Sequence, residues 1–134
     1  MSSKTRIAQV EFVEFELLNQ FNSSLLVNEN LNVHRMFLIS VKRKETRGMH
    51  AHKKCSQWIY VLRGSVTINL TDGFSTKSIK LKSNGNFLFI PPGIWSTQYY
   101  ARRSQTLVLC DLLYSESDYI RSWQDFLIFK KKSS

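Results

Sequence analysis

An all-β domain, an antiparallel barrel finished by one short C-terminal helix, is the fold class this sequence predicts, and three observations carry it. The chain is a succession of short apolar runs broken by turn signals, the pattern of a sandwich or barrel. In Ser65–Thr71 the residues Val66, Ile68 and Leu70 alternate with polar neighbours, as on a strand with one buried face. Only at the end does the period change: Tyr119, Ile120, Trp123, Phe126 and Leu127 fall on one helical stripe.

The elements follow in order. Val10–Leu17 and Leu31–Val41 read as strands, and Gln57–Arg63 as another, rich in aromatic and β-branched residues. Ser65–Thr71 leads into Asp72-Gly73, a favoured two-residue hairpin turn, and the return strand carries Ile79 and Leu81. Then come Phe87–Ile90, a Pro91-Pro92-Gly93 turn, a strand near Trp95–Tyr100 and the apolar run Thr106–Leu113. Ser115, with Asp118 three residues on, predicts a helix cap and a helix from about Ser115 to Phe126.

The 134 residues make one domain, 1–134, long enough to bury a core without staples. With 43% hydrophobic and 13% aromatic residues, disorder is excluded. Cys55 and Cys110 lack CxxC spacing and read as reduced thiols in or near the core of a cytoplasmic protein, with a disulfide as the lesser alternative. The N-terminus carries no signal-peptide pattern, and no stretch approaches the roughly 18 apolar residues of a membrane span. Lys and Arg exceed Asp and Glu by 19 − 10 = 9, which favours an anionic partner. Part of that excess is the Lys130-Lys131-Lys132 tail, read as a solvated end. No nucleic-acid signature is present, so neither a nucleic-acid nor a membrane partner is expected.

The chemistry centres on Arg47-Gly48-Met49-His50-Ala51-His52. Side chains two apart on a strand share a face, so His50 and His52 project together while Ala51 points away. Paired imidazoles on one face are unusual in a purely structural role, and His suits proton transfer near neutral pH.

The surrounding pattern resembles the cupin family. The first cupin motif, HxH followed by Glu and then Gly, is matched by His50, His52, Gln57 and Gly64. The second, Gly, PxG and then His, is matched by Gly85, Pro91, Gly93 and Ser96. The resemblance implies a cupin (RmlC-like jelly-roll) antiparallel barrel. Metal-dependent cupins bind through the two His, the Glu and the second-motif His. Here Gln57 and Ser96 replace two of those four, so neither a metal nor any other cofactor is expected, and the pair is freed for acid–base work.

A closer resemblance covers RGMHAHKKCSQWIYVLRGSVTINLTDG and YSESDYIRSWQDF, which look like the dTDP-sugar 3,4-ketoisomerases. These small cupins convert dTDP-4-keto-6-deoxyglucose to a 3-keto isomer on the way to 3-amino-3,6-dideoxy sugars of surface glycans such as lipopolysaccharide O-antigen. The resemblance implies a dTDP-linked 4-keto-6-deoxy sugar as substrate and a homodimer, with the Val10–Leu17 segment and barrel edges available for strand exchange. It implies His50 and His52 as acid and base, in an order left open. Arg47 is a candidate to hold the diphosphate or stabilise enediolate charge, against a surface-arginine reading. Arg35 is a candidate for phosphate, Gln57 for a sugar hydroxyl, and Trp95 for lining the sugar pocket or filling the core. Asp111 reads as a buried charge needing a partner. His34, Tyr119 and Arg121 read as structural, and Lys53 and Lys54 as a charged turn. Ser96 departs from the His usual after the Trp, and Phe37 lies near a position where Tyr is expected. Two alternatives stand beside the isomerase: a related nucleotide-sugar epimerase, and a non-catalytic cupin that binds a nucleotide sugar.

Overall fold

A computed structural model describes residues 2–13, 16–20, 23–27, 32–83 and 85–132. The strands are β1 (Glu11–Val13), β2 (Glu16–Gln20), β3 (Ser23–Val27), β4 (Arg35–Ser40), β5 (Glu45–His52), β6 (Gln57–Arg63) and β7 (Ser65–Thr71). They continue with β8 (Thr76–Lys82), β9 (Phe87–Ile90), β10 (Trp95–Tyr100), β11 (Gln105–Cys110) and β12 (Tyr119–Ile120), and one helix follows, α1 (Trp123–Lys131). Two five-stranded sheets run β1-β9-β6-β11-β4 and β12-β5-β10-β7-β8, and β2 pairs with β3 in a separate hairpin. Every pairing is antiparallel. The expected barrel with a short terminal helix is the observed fold. Of the predicted strands, Leu31 lies outside the described residues, as do 14 and 15 within Val10–Leu17.

The alternation read from the sequence sets the layers. Ile59, Val61 and Val108 of the first sheet meet Val66, Ile68, Leu70, Ile79 and Leu81 of the second in one core. Each such side chain, fully buried, contributes about 1.5–3 kcal/mol of transfer free energy. Tyr100 is buried among them, its hydroxyl satisfied by Thr106 at 2.8 Å. The helix covers the other face of the second sheet, where Phe126 packs on Ala51 and Ile120. No helix among the described residues is long and apolar enough to cross a membrane.

Three expectations are corrected. The helix starts eight residues later than Ser115: Glu116–Asp118 is a 3-10 turn, and Tyr119–Ile120 pairs with His52 and Ala51 at the sheet edge. Pairing with the open edge of β5 overrides the helical stripe there, and Ser122, which accepts the Asp125 N–H, is the true cap. The hairpin loop is Asp72–Ser75 rather than two residues, because the Asp72 carboxylate accepts the N–H groups of Phe74 and Ser75. It also accepts the N–H of Ile7 at 2.7 Å, tying the N-terminal segment to the barrel. Finally, Lys130 is no part of a solvated tail. It is 2% exposed, and its Nζ donates to the carbonyls of Thr5 and Gly93 at 2.7 and 2.9 Å.

The first-motif glycine has a structural reason. Gly64 turns β6 into β7 at φ +79°, and a Cβ there would fall 2.9 Å from the Ser104 Cα.

Candidate active site

The end of β5 is built to present two imidazoles. Gly48 (φ +86°) and Met49 (φ +58°) bulge the strand, and the register against β10 shifts between Ser96 and Thr97. The bulge brings Ser96 directly opposite His50. A side chain at Gly48 would press to 3.0 Å on the Ser96 carbonyl oxygen, so the close approach requires glycine. Beyond the bulge the alternation holds, with Ala51 fully buried under the helix. The His50 and His52 rings meet edge to face at 5.0 Å on the other side. Gly93 of the Pro-Pro-Gly turn donates its N–H to the His52 carbonyl at 2.7 Å, pinning the strand end.

Both imidazoles are held neutral. Burial, and then the neighbouring His52, push His50 down to about 4. Burial also lowers His52, opposed by its hydrogen bond to Asp118. The distance from His52 Nδ1 to Asp118 Oδ2 is 3.0 Å. A neutral imidazole carries one N–H and one lone pair, so the pair together holds what a base and an acid need.

The facing sheet supplies a polar row. Arg35 on β4, Cys110 on β11 and Gln57 on β6 sit in register. Arg35 Nη2 and Gln57 Nε2 each donate to Cys110 Sγ at 3.5 Å. The second Arg35 contact is to the Tyr119 hydroxyl at 3.1 Å, and the Tyr119 ring lies 5.0 Å from His50 and 4.3 Å from His52. Phe37 lies one inward-facing position along β4, its ring 5.1 Å beneath the guanidinium. Both cysteines are free and buried, as expected. A hydrogen bond to Cys110 and burial push the Cys55 thiol up, whereas that bond, with Arg35 and Gln57, pulls Cys110 down.

Arg35 reaches the histidines through the Tyr119 hydroxyl, and Gln57 joins the same row through Cys110. Two other candidates do not. Arg47 is half-exposed and pairs with Glu45. Trp95 packs on Trp123 and Phe126 under the helix, at 5.5 and 5.6 Å, because β10 turns Ser96 inward and its neighbour outward. Asp111 accepts the Ser56 N–H at 2.8 Å, a structural bond. The residues missed are Asp118 and Tyr119, assigned to a helix from their spacing alone.

The cupin metal positions do not suit a divalent cation. Two imidazoles, an amide already bonded to Cys110 and a hydroxyl offer no anionic ligand. A different trio, His52 Nδ1, Cys55 Sγ and a carboxylate oxygen of Asp118, lies within 4.8 Å, but its imidazole nitrogen is engaged with that carboxylate and its thiol donates to the Ser56 carbonyl. Among the described residues, three buried side-chain atoms lack a hydrogen-bond partner: Arg35 Nε, His52 Nε2 and Ser96 Oγ. All three belong to this site, where unpartnered polar atoms mark a place for a polar ligand. A cavity of about 540 Å³ at the other barrel end is lined by Lys42, Arg43, Arg63, Arg102 and Arg103 and holds no histidine. It accounts for part of the basic charge and offers no proton-transfer pair.

Comparison with known proteins agrees with this geometry. The family model described as FdtA: WxcM-like, C-terminal, matches residues 8–131. A TDP-4-oxo-6-deoxy-alpha-D-glucose-3,4-oxoisomerase of Aneurinibacillus thermoaerophilus is 30% identical over 117 residues, covering 83% of this chain and 84% of that protein. The sugar 3,4-ketoisomerase QdtA from Thermoanaerobacterium thermosaccharolyticum, solved in complex with TDP, has a TM-score of 0.82 at 29% identity, over 95% of this chain and 98% of that one. A 3,4-ketoisomerase from Helicobacter canadensis gives 0.79 and 32%, over 92% and 98%. With the fold, the paired histidines and a family match that spans nearly the whole sequence, the chain belongs to the FdtA (WxcM-like, C-terminal) family.

Proposed function

We propose that this chain is a dTDP-sugar 3,4-ketoisomerase that interconverts dTDP-4-keto-6-deoxyglucose and a dTDP-3-keto-6-deoxyhexose. The observation that carries the reading is the neutral imidazole pair with the buried Nε2 of His52 unpartnered. Moving the ketone from C4 to C3 requires removing the C3 proton to a base while the C4 oxygen gains a proton. The resulting enediol then gives up the proton of its C3 oxygen as C4 is protonated. Protons balance, and no electrons leave the sugar. His50 and His52 share these transfers. Arg35, fixed by Tyr119 and Cys110, is placed to balance enediolate charge, and Gln57 to meet a hydroxyl. Arg47, at the rim, is free to meet the diphosphate once it leaves Glu45.

We further propose a cytoplasmic homodimer acting in the supply of 3-amino-3,6-dideoxy sugars for surface glycans. Unbridged thiols support the compartment. The outer face of the first sheet supports the dimer, since Met36 and Leu38 are 66% and 57% exposed beside an apolar cluster around Trp58.

One observation favours a second reading, a cupin that binds the nucleotide sugar without turning it over: Ser96 stands opposite His50 where the second motif usually has His. Incubation with dTDP-4-keto-6-deoxyglucose followed by NMR separates the two. A 3-keto product supports the isomerase; tight binding with an unchanged sugar supports the binder.

A further inference from the structure

We propose that Asp118 is a positioning residue for His52: its carboxylate keeps the imidazole proton on Nδ1 and so presents Nε2 to the sugar as a bare lone pair. The inference rests on the isomerase reading for its consequence, but its physical content is a tautomer. A carboxylate only accepts, so the 3.0 Å contact between Asp118 Oδ2 and His52 Nδ1 makes Nδ1 the donor. The neutral ring then has its lone pair on Nε2, the atom that is buried and unpartnered. The two side chains are only 7% and 11% exposed, so water competes poorly for the bond.

Asp118 is itself aimed from several directions. Its Oδ1 accepts the Lys54 N–H at 2.7 Å, and its Oδ2 accepts the Cys55 N–H at 3.4 Å. Its backbone carbonyl accepts the Lys53 N–H at 2.9 Å, and its own N–H donates to Ser115 at 3.0 Å. The 3-10 turn Glu116–Asp118 is thereby cross-linked to the loop after β5. The Tyr119 ring packs beside the imidazole, tilted by 57° with the centroids 4.3 Å apart. Asp118 acts through His52, the one imidazole it bonds.

A purely structural carboxylate would do the same for the loop, so the test reads the tautomer. In Asp118→Asn the amide oxygen still serves the Lys54 N–H, but the NH2 arm then faces His52 Nδ1 and donates to it. The proton moves to Nε2. Long-range 1H–15N correlation of the labelled full chain near neutral pH should show His52 as the Nδ1–H form in the wild type and the Nε2–H form in Asp118→Asn. Turnover of the variant should fall by about 10²- to 10⁴-fold, the range for one positioned proton-transfer group, with KM and dTDP affinity within a few fold. Asp118→Glu, which keeps a carboxylate, should recover part of both the Nδ1–H signal and the turnover. An Nε2–H tautomer in the wild type overturns the proposal, and so does lost turnover in Asp118→Asn with the tautomer unchanged. If Asp118→Asn does not fold, the wild-type tautomer and Asp118→Glu still decide. Should the wild type prove unable to isomerise the sugar, the isomerase reading fails while the tautomer assignment is judged on its own spectrum.

Discussion

The ring of Tyr119 lies 4.3 Å from that of His52, and its hydroxyl reaches across to accept from Arg35. This one side chain joins the tail of the chain to both sheets of the barrel. β5 carries the histidines, β4 the arginine, and β12 closes the edge. The site is thus assembled from residues far apart in sequence, and its chemistry is confined to a few of them.

The first prediction concerns those few. His50→Asn and His52→Asn should each lower isomerase turnover by about 10²- to 10⁴-fold, the usual contribution of a positioned acid or base. Affinity for dTDP should change little, since the proton transfers assigned to the two rings concern the sugar carbons. Steady-state kinetics beside calorimetric titration with dTDP tests this. Near wild-type turnover in both variants would make the histidines structural.

The second concerns acid. His50 in the fold is held near 4, below the ordinary imidazole value of 6.5. Between those values the unfolded chain binds more protons than the folded one, so stability falls as pH drops through that window and levels off below it. The loss is on the order of 3 kcal/mol by the linkage relation. Urea unfolding from pH 7 to 4 should show it, and His50→Asn should flatten that part of the curve. Over the same range each still-folded enzyme keeps a neutral His50, so kcat/KM should hold below pH 6.

The third concerns assembly. An exposed apolar face bordered by the edge strands β1 and β4 should be covered by a second copy of the chain. Sedimentation at tens of micromolar should give a dimer, and Met36→Glu with Leu38→Glu should shift it toward monomer.

How much of this was legible in the sequence depended on whether the information was local. Strand period and turn residues placed β6, β7 and β9 to the residue, and the HxH spacing put both imidazoles on one face. Asp118 and Tyr119 were misplaced because their partners, the open edge of β5 and the Nδ1 of His52, lie more than sixty residues away. A spacing of three from Ser115 looked like a cap, and pairing across the fold outweighed it. Trp95 was ambiguous for a related reason: alternation tells which residues share a face but not which face looks inward. Lys130 was read as a charged end because composition does not reveal two carbonyls waiting at that height of the barrel.

The fourth prediction uses the first-motif glycine. Gly64→Ala must place a Cβ at φ +79° and 2.9 Å from the Ser104 Cα, where backbone rather than a flexible side chain has to yield. Left-handed strain alone costs on the order of 1 kcal/mol or more, and the clash adds to it. Ser104 also bonds both backbone groups of Ser65, so its displacement loosens the β6–β7 turn. Thermal melts should show a lower Tm than for Gly85→Ala, whose Cβ would meet only the Lys82 carbonyl oxygen at 3.1 Å without the positive φ.

The fifth tests the buried lysine. Lys130 Nζ bonds Gly93, and Gly93 in turn donates to His52, so the ammonium supports the end of β5 through one intervening turn. Lys130→Met keeps the stem and removes the donor. Two buried carbonyls, of Thr5 and Gly93, then lose a partner, at about 1–3 kcal/mol for each left unsatisfied. Burial also lowers the Lys130 ammonium to about 8 from its ordinary 10.5. Between those values the folded state binds fewer protons than the unfolded chain, so the Lys130 contribution to stability rises with pH. The gap between wild type and Lys130→Met should therefore be smallest near neutral pH and widen between pH 8 and 10, by a few kcal/mol at most. Paired urea titrations across that range measure the difference directly. A gap that stays constant with pH would mean that the ammonium carries no burial cost and that its two hydrogen bonds alone set the difference.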